Sequence, residues 1–241
     1  MADPARLKRA GLSSAVILAI MAAQAAPAAE SMRVSEDRQW EFRVYLDEKE
    51  VGYHHFRVQG DAQERRVGVD ASFDVKILFF NAFSYRHTTQ ELWFGDCLQD
   101  IDSSTRAGKK SYAVKGTAET TGFQVATQAD TTSIPKDCVR SFAYWDKRLL
   151  DMPSLLNAQT GQLVDVQAQP PRQEEIQVMG ETILAERHDL KLEKGVISLW
   201  YDPAGVWVGL QAPAPGGRIL DYRPEKLPMT GFGGGDRVAS R

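Results

Sequence analysis

The stretch VGVDASFDVKILF, residues 67–79, decides the fold class. Val67, Val69, Ala71, Phe73, Val75, Ile77 and Phe79 fall on odd positions, with Gly68, Asp70, Ser72, Asp74 and Lys76 between them. A period of two belongs to a strand with one buried and one wet face, whereas an amphipathic helix repeats its apolar residues every three or four. The same alternation precedes it in Trp40, Phe42, Val44 and Leu46, separated by Glu41, Arg43 and Tyr45.

Working outward, β-rich stretches recur at 51–58, 83–94, 111–115, 121–127, 162–168, 174–179, 182–192, 196–201, 205–211 and 218–222. Turn residues punctuate them, among them Gly95-Asp96, Ala107-Gly108, Thr160-Gly161, Lys194-Gly195 and Pro215-Gly216-Gly217. Gly and Asp supply the backbone freedom and local hydrogen bonds that tight reversals need. Many strands on short connections predict an all-β chain, an antiparallel meander rolled into a strongly curved sheet or open β-barrel. One segment breaks the pattern: DKRLLDMPSLLN, residues 146–157, predicts a short helical turn before Pro153 and another after it.

The beginning of the chain reads as an export signal. Arg6, Lys8 and Arg9 make a basic region, Ala15 to Ala23 an uncharged apolar run, and Ala23-Gln24-Ala25 and Ala26-Pro27-Ala28 each fit a small-residue cleavage site. The apolar run is well short of the roughly 20 residues that span a bilayer. The expected organisation is a signal peptide over 1–28, a flexible segment over 29–38, one β domain over 39–225 and a disordered Gly-rich tail over 226–241. The expected location is the periplasm, with secretion as the alternative.

Charge narrows the partners. The formal net charge is −3, and residues 1–28 hold three basic side chains and one acidic, so the remainder stands at −5. Scattered basic residues on a mildly acidic chain form no phosphate-binding stripe, which argues against nucleic acid. No later segment is apolar enough to span a membrane. The two cysteines, Cys97 and Cys138, both lie in the exported part, where an oxidising compartment favours their pairing. Closing a loop of this length contributes roughly 4 kcal/mol in the chain-entropy model. Neither cysteine belongs to a C-x-x-C motif or a His cluster, so the disulfide is read as structural, with no metal site and no cofactor.

Motifs for nucleophiles, zinc and nucleoside phosphates are absent, and Ser133-Ile-Pro-Lys136 carries a proline where the S-x-x-K enzymes need a helix. Neighbours on a strand face opposite ways, so His54 and His55 cannot easily share an ion. His54 goes inward with Phe56 and Val58, and His55 outward with Tyr53 and Arg57. A lone inward histidine is more often a hydrogen-bonded core residue than a ligand. The stretch FSYRHTTQELWF, residues 83–94, is the best candidate for a functional face. Its odd positions include Tyr85, His87, Thr89, Glu91 and Trp93, an imidazole and a carboxylate among aromatics. Turned inward, this face would line a cavity in which Glu91 or His87 meets a ligand's polar group. The competing reading is a cross-strand ladder with Glu91 paired and the aromatics in a core. Tyr144-Trp145 adds aromatic bulk, and Trp145 joins the candidates.

These residues also resemble a known pattern. Trp40-x-Phe42-x-Val44-x-Leu46-Asp47, then Val51-Gly52-x-His54-x-Phe56, the run ELWFGDCL (91–98), Tyr144-Trp145, LLNAQTGQL (155–163), Leu199-Trp200-Tyr201-Asp202 and Leu220-Asp221-Tyr222 occur in order. Together they resemble an uncharacterised family of exported bacterial proteins, one of the domains of unknown function. The resemblance implies an exported β-rich domain without an established activity, and places His54 at a motif position. His188 stands where the pattern leads one to expect an aromatic.

Three functions fit these features. The first is a non-enzymatic carrier of an apolar or amphipathic, lipid-like small molecule inside the curved sheet. The second is a hydrolase or lyase that brings His54, His87 and Glu91 together by strand pairing. The third is an envelope-assembly module meeting another protein through a sheet edge or aromatic patch.

Overall fold

The computed structural model describes residues 36–77 and 80–229, with side chains described outside residues 76–82. The expected signal peptide, and the tail from residue 230 on, lie outside the described residues. Strands run β1 (Glu36–Leu46), β2 (Lys49–Gly60), β3 (Glu64–Ile77), β4 (Phe80–Phe94), β5 (Cys97–Ala107), β6 (Lys110–Glu119), β7 (Gly122–Thr127) and β8 (Thr131–Ile134). A 3₁₀ turn, Lys147–Asp151, leads to the short strands β9 (Ser154–Leu156), β10 (Leu163–Asp165) and β11 (Gln167–Ala168). The chain ends in β12 (Arg172–Val178), β13 (Glu181–Leu192), β14 (Gly195–Tyr201), β15 (Trp207–Ala214) and β16 (Arg218–Lys226).

Fourteen strands form one sheet in the order β11-β13-β14-β15-β16-β1-β2-β3-β4-β5-β6-β7-β8, with β12 also on β13 and β9–β10 a separate pair. Two meanders, β1–β8 and β13–β16, are thus joined where the first strand pairs antiparallel with the last, Val44 opposite Tyr222 and Leu46 opposite Leu220. No pairing joins β8 to β11 or β12 among the described residues, so the barrel is open. Bulges sit in β16 between Pro224 and Lys226, opposite Phe42 and Glu41 of β1, between β4 and β5 at Leu92/Trp93, and between β14 and β15 at Trp200/Tyr201. An extra residue on one strand bends it and raises the twist, which is how so wide a sheet curls. The bulge in β16 also accommodates Pro224 of the same strand, which has no N–H for the ladder.

The alternation that opens the sequence is visible as burial. Trp40, Phe42, Val44 and Leu46 are buried, and so are Val67, Ala71 and Phe73. All five tryptophans are buried. The main core gathers Trp40, Phe42, Trp93, Trp145 and Trp207 with Leu149, Leu155 and Leu156; a smaller cluster of Val44, Leu46, Val51, Ala71 and Phe73 lies apart from it. Gly52 shows why a residue without Cβ stands in β2: at φ +153°, an added Cβ would lie 1.8 Å from the Ser72 carbonyl oxygen.

The segment from Cys138 to Ala168 crosses between the meanders and supplies inward groups. Cys97 and Cys138 form the disulfide, with Cα atoms 5.0 Å apart, and Leu98 donates to the Val139 carbonyl at 2.9 Å. Arg140 donates to Asp146 Oδ2 at 2.5 Å, both buried. The Arg140 guanidinium lies over Trp93 and that of Arg65 over Trp145, each 5.4 Å from a ring centroid, while the two indoles meet edge-on at 5.6 Å. Cation–π contact suits guanidinium groups withdrawn from water.

The 3₁₀ turn occupies the place expected before Pro153, capped by Asp146, whose carboxylate accepts from the Arg148 N–H at 3.2 Å. The second expected turn is corrected: after Pro153 the chain is the extended strand β9, whose Ser154, Leu155 and Leu156 are all buried. Two further strands escaped the sequence reading. In β5 the inward positions Ser103 and Thr105 are small and polar, so apolar alternation is lost; β8 has only four residues. β1 begins at Glu36, inside the segment expected to be flexible, and β16 ends at Lys226.

Candidate functional site

Strand register sets the site. On the inner face His54 of β2 stands opposite Ala71 of β3, and Ala71 opposite His87 of β4. Two strand spacings therefore separate the imidazoles, about 10 Å at the backbone. The odd face of β4 does point inward. With Ser141, Phe142 and Tyr144 from the crossing segment, Asn157 and Gln159 after β9, and Leu192 and Ile197 of the second meander, it lines a cavity of about 260 Å³. Of the six residues singled out as ligand-binding candidates, His54, Tyr85, His87 and Glu91 line it. Trp93 and Trp145 do not: both are core residues packed on each other.

His87 is the best-determined polar group in the wall. Thr105 Oγ1 lies 2.7 Å from its Nδ1 and Thr89 Oγ1 2.9 Å from its Nε2, while the Thr89 hydroxyl donates to Ser103 Oγ at 3.2 Å. Each threonine hydroxyl can donate or accept, so the network serves either neutral tautomer of the ring. Burial pushes the His87 pKa down to about 4 against the weaker pull of Asp70, which keeps the ring neutral at neutral pH.

Glu91 is buried two positions along the same face. Its Oε2 accepts from Trp93 Nε1 at 2.8 Å. Burial raises its pKa, opposed by hydrogen bonds from Trp93 and Ser141. The His54 ring stacks on Phe56 with centroids 4.2 Å apart, and its Nδ1 meets the Tyr222 hydroxyl at 3.3 Å. Burial first, then the neighbouring His87 and His55, keep its pKa well below the usual histidine range. Tyr85 stacks on Phe73 with centroids 5.2 Å apart and donates to Gln159 Oε1 at 3.2 Å; burial pushes its pKa to about 12. The wall is thus polar yet poor in charge: among the described residues no Lys, Arg or Asp lines it, and Glu91 is its sole acidic residue.

The three acid–base candidates share a face but not a contact. His87 and Glu91 are four residues apart on one strand, roughly 13 Å at the backbone, and each is held by other partners. The remaining histidines lie elsewhere. His55 stacks outward on Tyr53 at 4.5 Å, and His188 Nε2 sits 2.5 Å from Glu186 Oε1, which also receives Lys147. Among the described residues no three His, Cys, Asp or Glu side chains gather to hold a metal ion, and no helix is long and apolar enough to cross a membrane.

Sequence reasoning missed two parts of the site. Ser103 and Thr105 left a faint signal, because Ile101, Ser103 and Thr105 alternate with the charged or exposed Asp100, Asp102, Ser104 and Arg106. Ser141, Phe142, Asn157 and Gln159 left none, since they reach the cavity from irregular backbone.

Comparison with known proteins gives the fold a relative. A crystal structure from Brucella abortus, described as a β-barrel-like protein of domain of unknown function DUF1849, matches with a TM-score of 0.58. The match covers 79% of this chain and 96% of that one, at 11% identity, so the likeness concerns the fold alone. A comparison with curated proteins found no match. The model of one family, the domain of unknown function DUF6134, matches residues 42–225. The match takes in every strand from β2 to β15, the later part of β1 and most of β16, and the chain belongs to the DUF6134 family.

Proposed function

We propose that the concave face of the open barrel binds one uncharged amphipathic small molecule. The observation that carries this reading is the makeup of the 260 Å³ cavity, where Phe56, Val69, Leu192 and Ile197 stand beside His54, Tyr85, His87 and Glu91. Apolar walls with a few convergent polar groups are the usual makeup of a small-molecule site. Volume sits just below the roughly 300–1,000 Å³ of such sites, room for a polar head and the start of a chain. Neutral imidazoles and a carboxyl driven toward its protonated form offer hydrogen bonds without a fixed counter-charge. An uncharged head such as a hydroxyl, ester or amide is matched; a carboxylate would enter without a cationic partner.

An exported, periplasmic setting belongs to the same proposal. The Cys97–Cys138 disulfide supports it, because such bonds persist where thiols are not kept reduced. Acid–base catalysis by His54, His87 and Glu91 draws less support, because His87 and Glu91 are held by other partners and no hydrogen bond joins the three among the described residues.

Native mass spectrometry of the chain, purified under non-reducing conditions, tests the reading. Extra mass that organic extraction removes is the expected result, and Ile197→Trp, which fills the cavity, should abolish it. A bare native chain, or an adduct indifferent to Ile197→Trp, would overturn the proposal.

A further inference from the structure

Among the described residues, one buried polar atom of the cavity wall is left over. His87 is held at both ring nitrogens by Thr105 and Thr89, Glu91 Oε2 accepts from Trp93, and the Tyr85 hydroxyl donates to Gln159. His54 is different. Its Nδ1 meets the Tyr222 hydroxyl, while its Nε2 is buried and has no hydrogen-bond partner among the described residues. The Nε atoms of Arg38, Arg65 and Arg140 share that condition, but none of these arginines lines the cavity. Each belongs to a guanidinium lying over an indole face, which supplies an attraction in place of a hydrogen bond. The edge nitrogen of His54 has no such substitute.

Buried polar groups in native proteins are almost always paired, so an unpaired one calls for a partner. The imidazole is also fixed in place. Phe56 stacks on the ring with centroids 4.2 Å apart, Phe73 stands edge-on at 6.3 Å, and Tyr222 sets its rotation through Nδ1. The two nitrogens of an imidazole diverge. With Nδ1 turned to Tyr222, the Nε2 points away from β16, and the ring lines the cavity. A group held still before a ligand arrives loses little freedom on binding.

We infer that the cavity's ligand carries a hydroxyl head that hydrogen-bonds to His54 Nε2, its chain lying along Phe56, Val69, Leu192 and Ile197. A neutral imidazole nitrogen donates or accepts according to which nitrogen carries the proton, and a hydroxyl answers either role with one atom. An ester or ether oxygen only accepts. Burial keeps the His54 pKa well below the usual histidine range, so the ring stays neutral and offers a carboxylate no cation. His54 is thereby a specificity-determining residue, and the inference rests on the reading of this cavity as a small-molecule site.

The test uses the full chain with its disulfide intact and two probes, hexanol and hexyl chloride. Their chains match, and only the first has a head that hydrogen-bonds well. Proton–nitrogen correlation spectra of the histidine rings follow each titration. Hexanol should move the His54 Nε2 resonance and leave that of His188, outside the cavity, in place; hexyl chloride should move the first far less. His54→Phe keeps an aromatic ring against Phe56 but removes the nitrogen. It should weaken hexanol roughly ten-fold, the worth of one hydrogen bond, and change hexyl chloride by less than about two-fold. The spectra need no variant, so they decide the matter even if His54→Phe does not fold. A His54 Nε2 resonance unmoved by bound hexanol, or equal loss of both probes in His54→Phe, would overturn the inference and leave the small-molecule reading standing. Uptake of neither probe by the native chain would refute that reading, and the inference with it.

Discussion

Acidification provides the sharpest test of the buried polar strip. His87 is 8% exposed, hydrogen-bonded at both ring nitrogens and held with a pKa of about 4. In the unfolded chain it returns to about 6.5. Between these values the unfolded state takes up a proton that the folded state refuses, so stability must fall as pH drops through 6.5 and level off below 4. From the two pKa values the loss due to this residue is about 2 kcal/mol at pH 5 and about 3 kcal/mol at pH 4, relative to neutral pH. His54, also lowered by burial, adds to the loss, whereas Glu91, raised by burial, opposes it by binding its proton in the folded state. Urea unfolding followed by tryptophan fluorescence, from pH 7.5 to pH 4, gives the total. The same series on His87→Gln isolates the term, because the amide can still bond to a threonine but does not titrate. The variant should be less stable at neutral pH and lose about 3 kcal/mol less than the native chain by pH 4. Parallel curves would refute a His87 kept neutral by burial.

Two further outcomes follow from the packing. Replacing both Cys97 and Cys138 by serine should lower the unfolding free energy by roughly 4 kcal/mol on the chain-entropy model, read as a shift in urea midpoint that reductant reproduces in the native chain. Glu91→Ala should cost about 1–3 kcal/mol, because it strands the buried Trp93 indole N–H. Glu91→Gln, which restores an acceptor there, should recover most of that loss, and equal damage by both variants would contradict the assigned bond.

The sequence by itself determined the strands whose inner positions are apolar. Trp40 to Leu46 and Val67 to Phe73 state their buried face in every second residue, because a strand buried on one side repeats at two and nothing else in this chain competes with that period. It also put His87 and Glu91 in phase with Tyr85 and Trp93 on the odd face of β4, the face that turns inward. The pairing of Cys97 with Cys138 was legible because the chain has only those two.

Tertiary structure decided the rest. β5 was hidden because Ser103 and Thr105 are inward for hydrogen bonding, not for apolar burial, and patterning by hydropathy does not register that. Trp93 looked like a cavity residue by phase and Trp145 by aromatic bulk. The crossing segment brings Trp145 edge-on to Trp93, and Arg65 and Arg140 cap their faces, so they are core. Most of the opposing cavity wall comes from residues far along the chain, brought up by a disulfide, a buried Arg140–Asp146 pair and the short strand β9. Local periodicity reports which way a side chain points from its own strand. What it points at depends on register and on the path of distant chain, and those are set by packing.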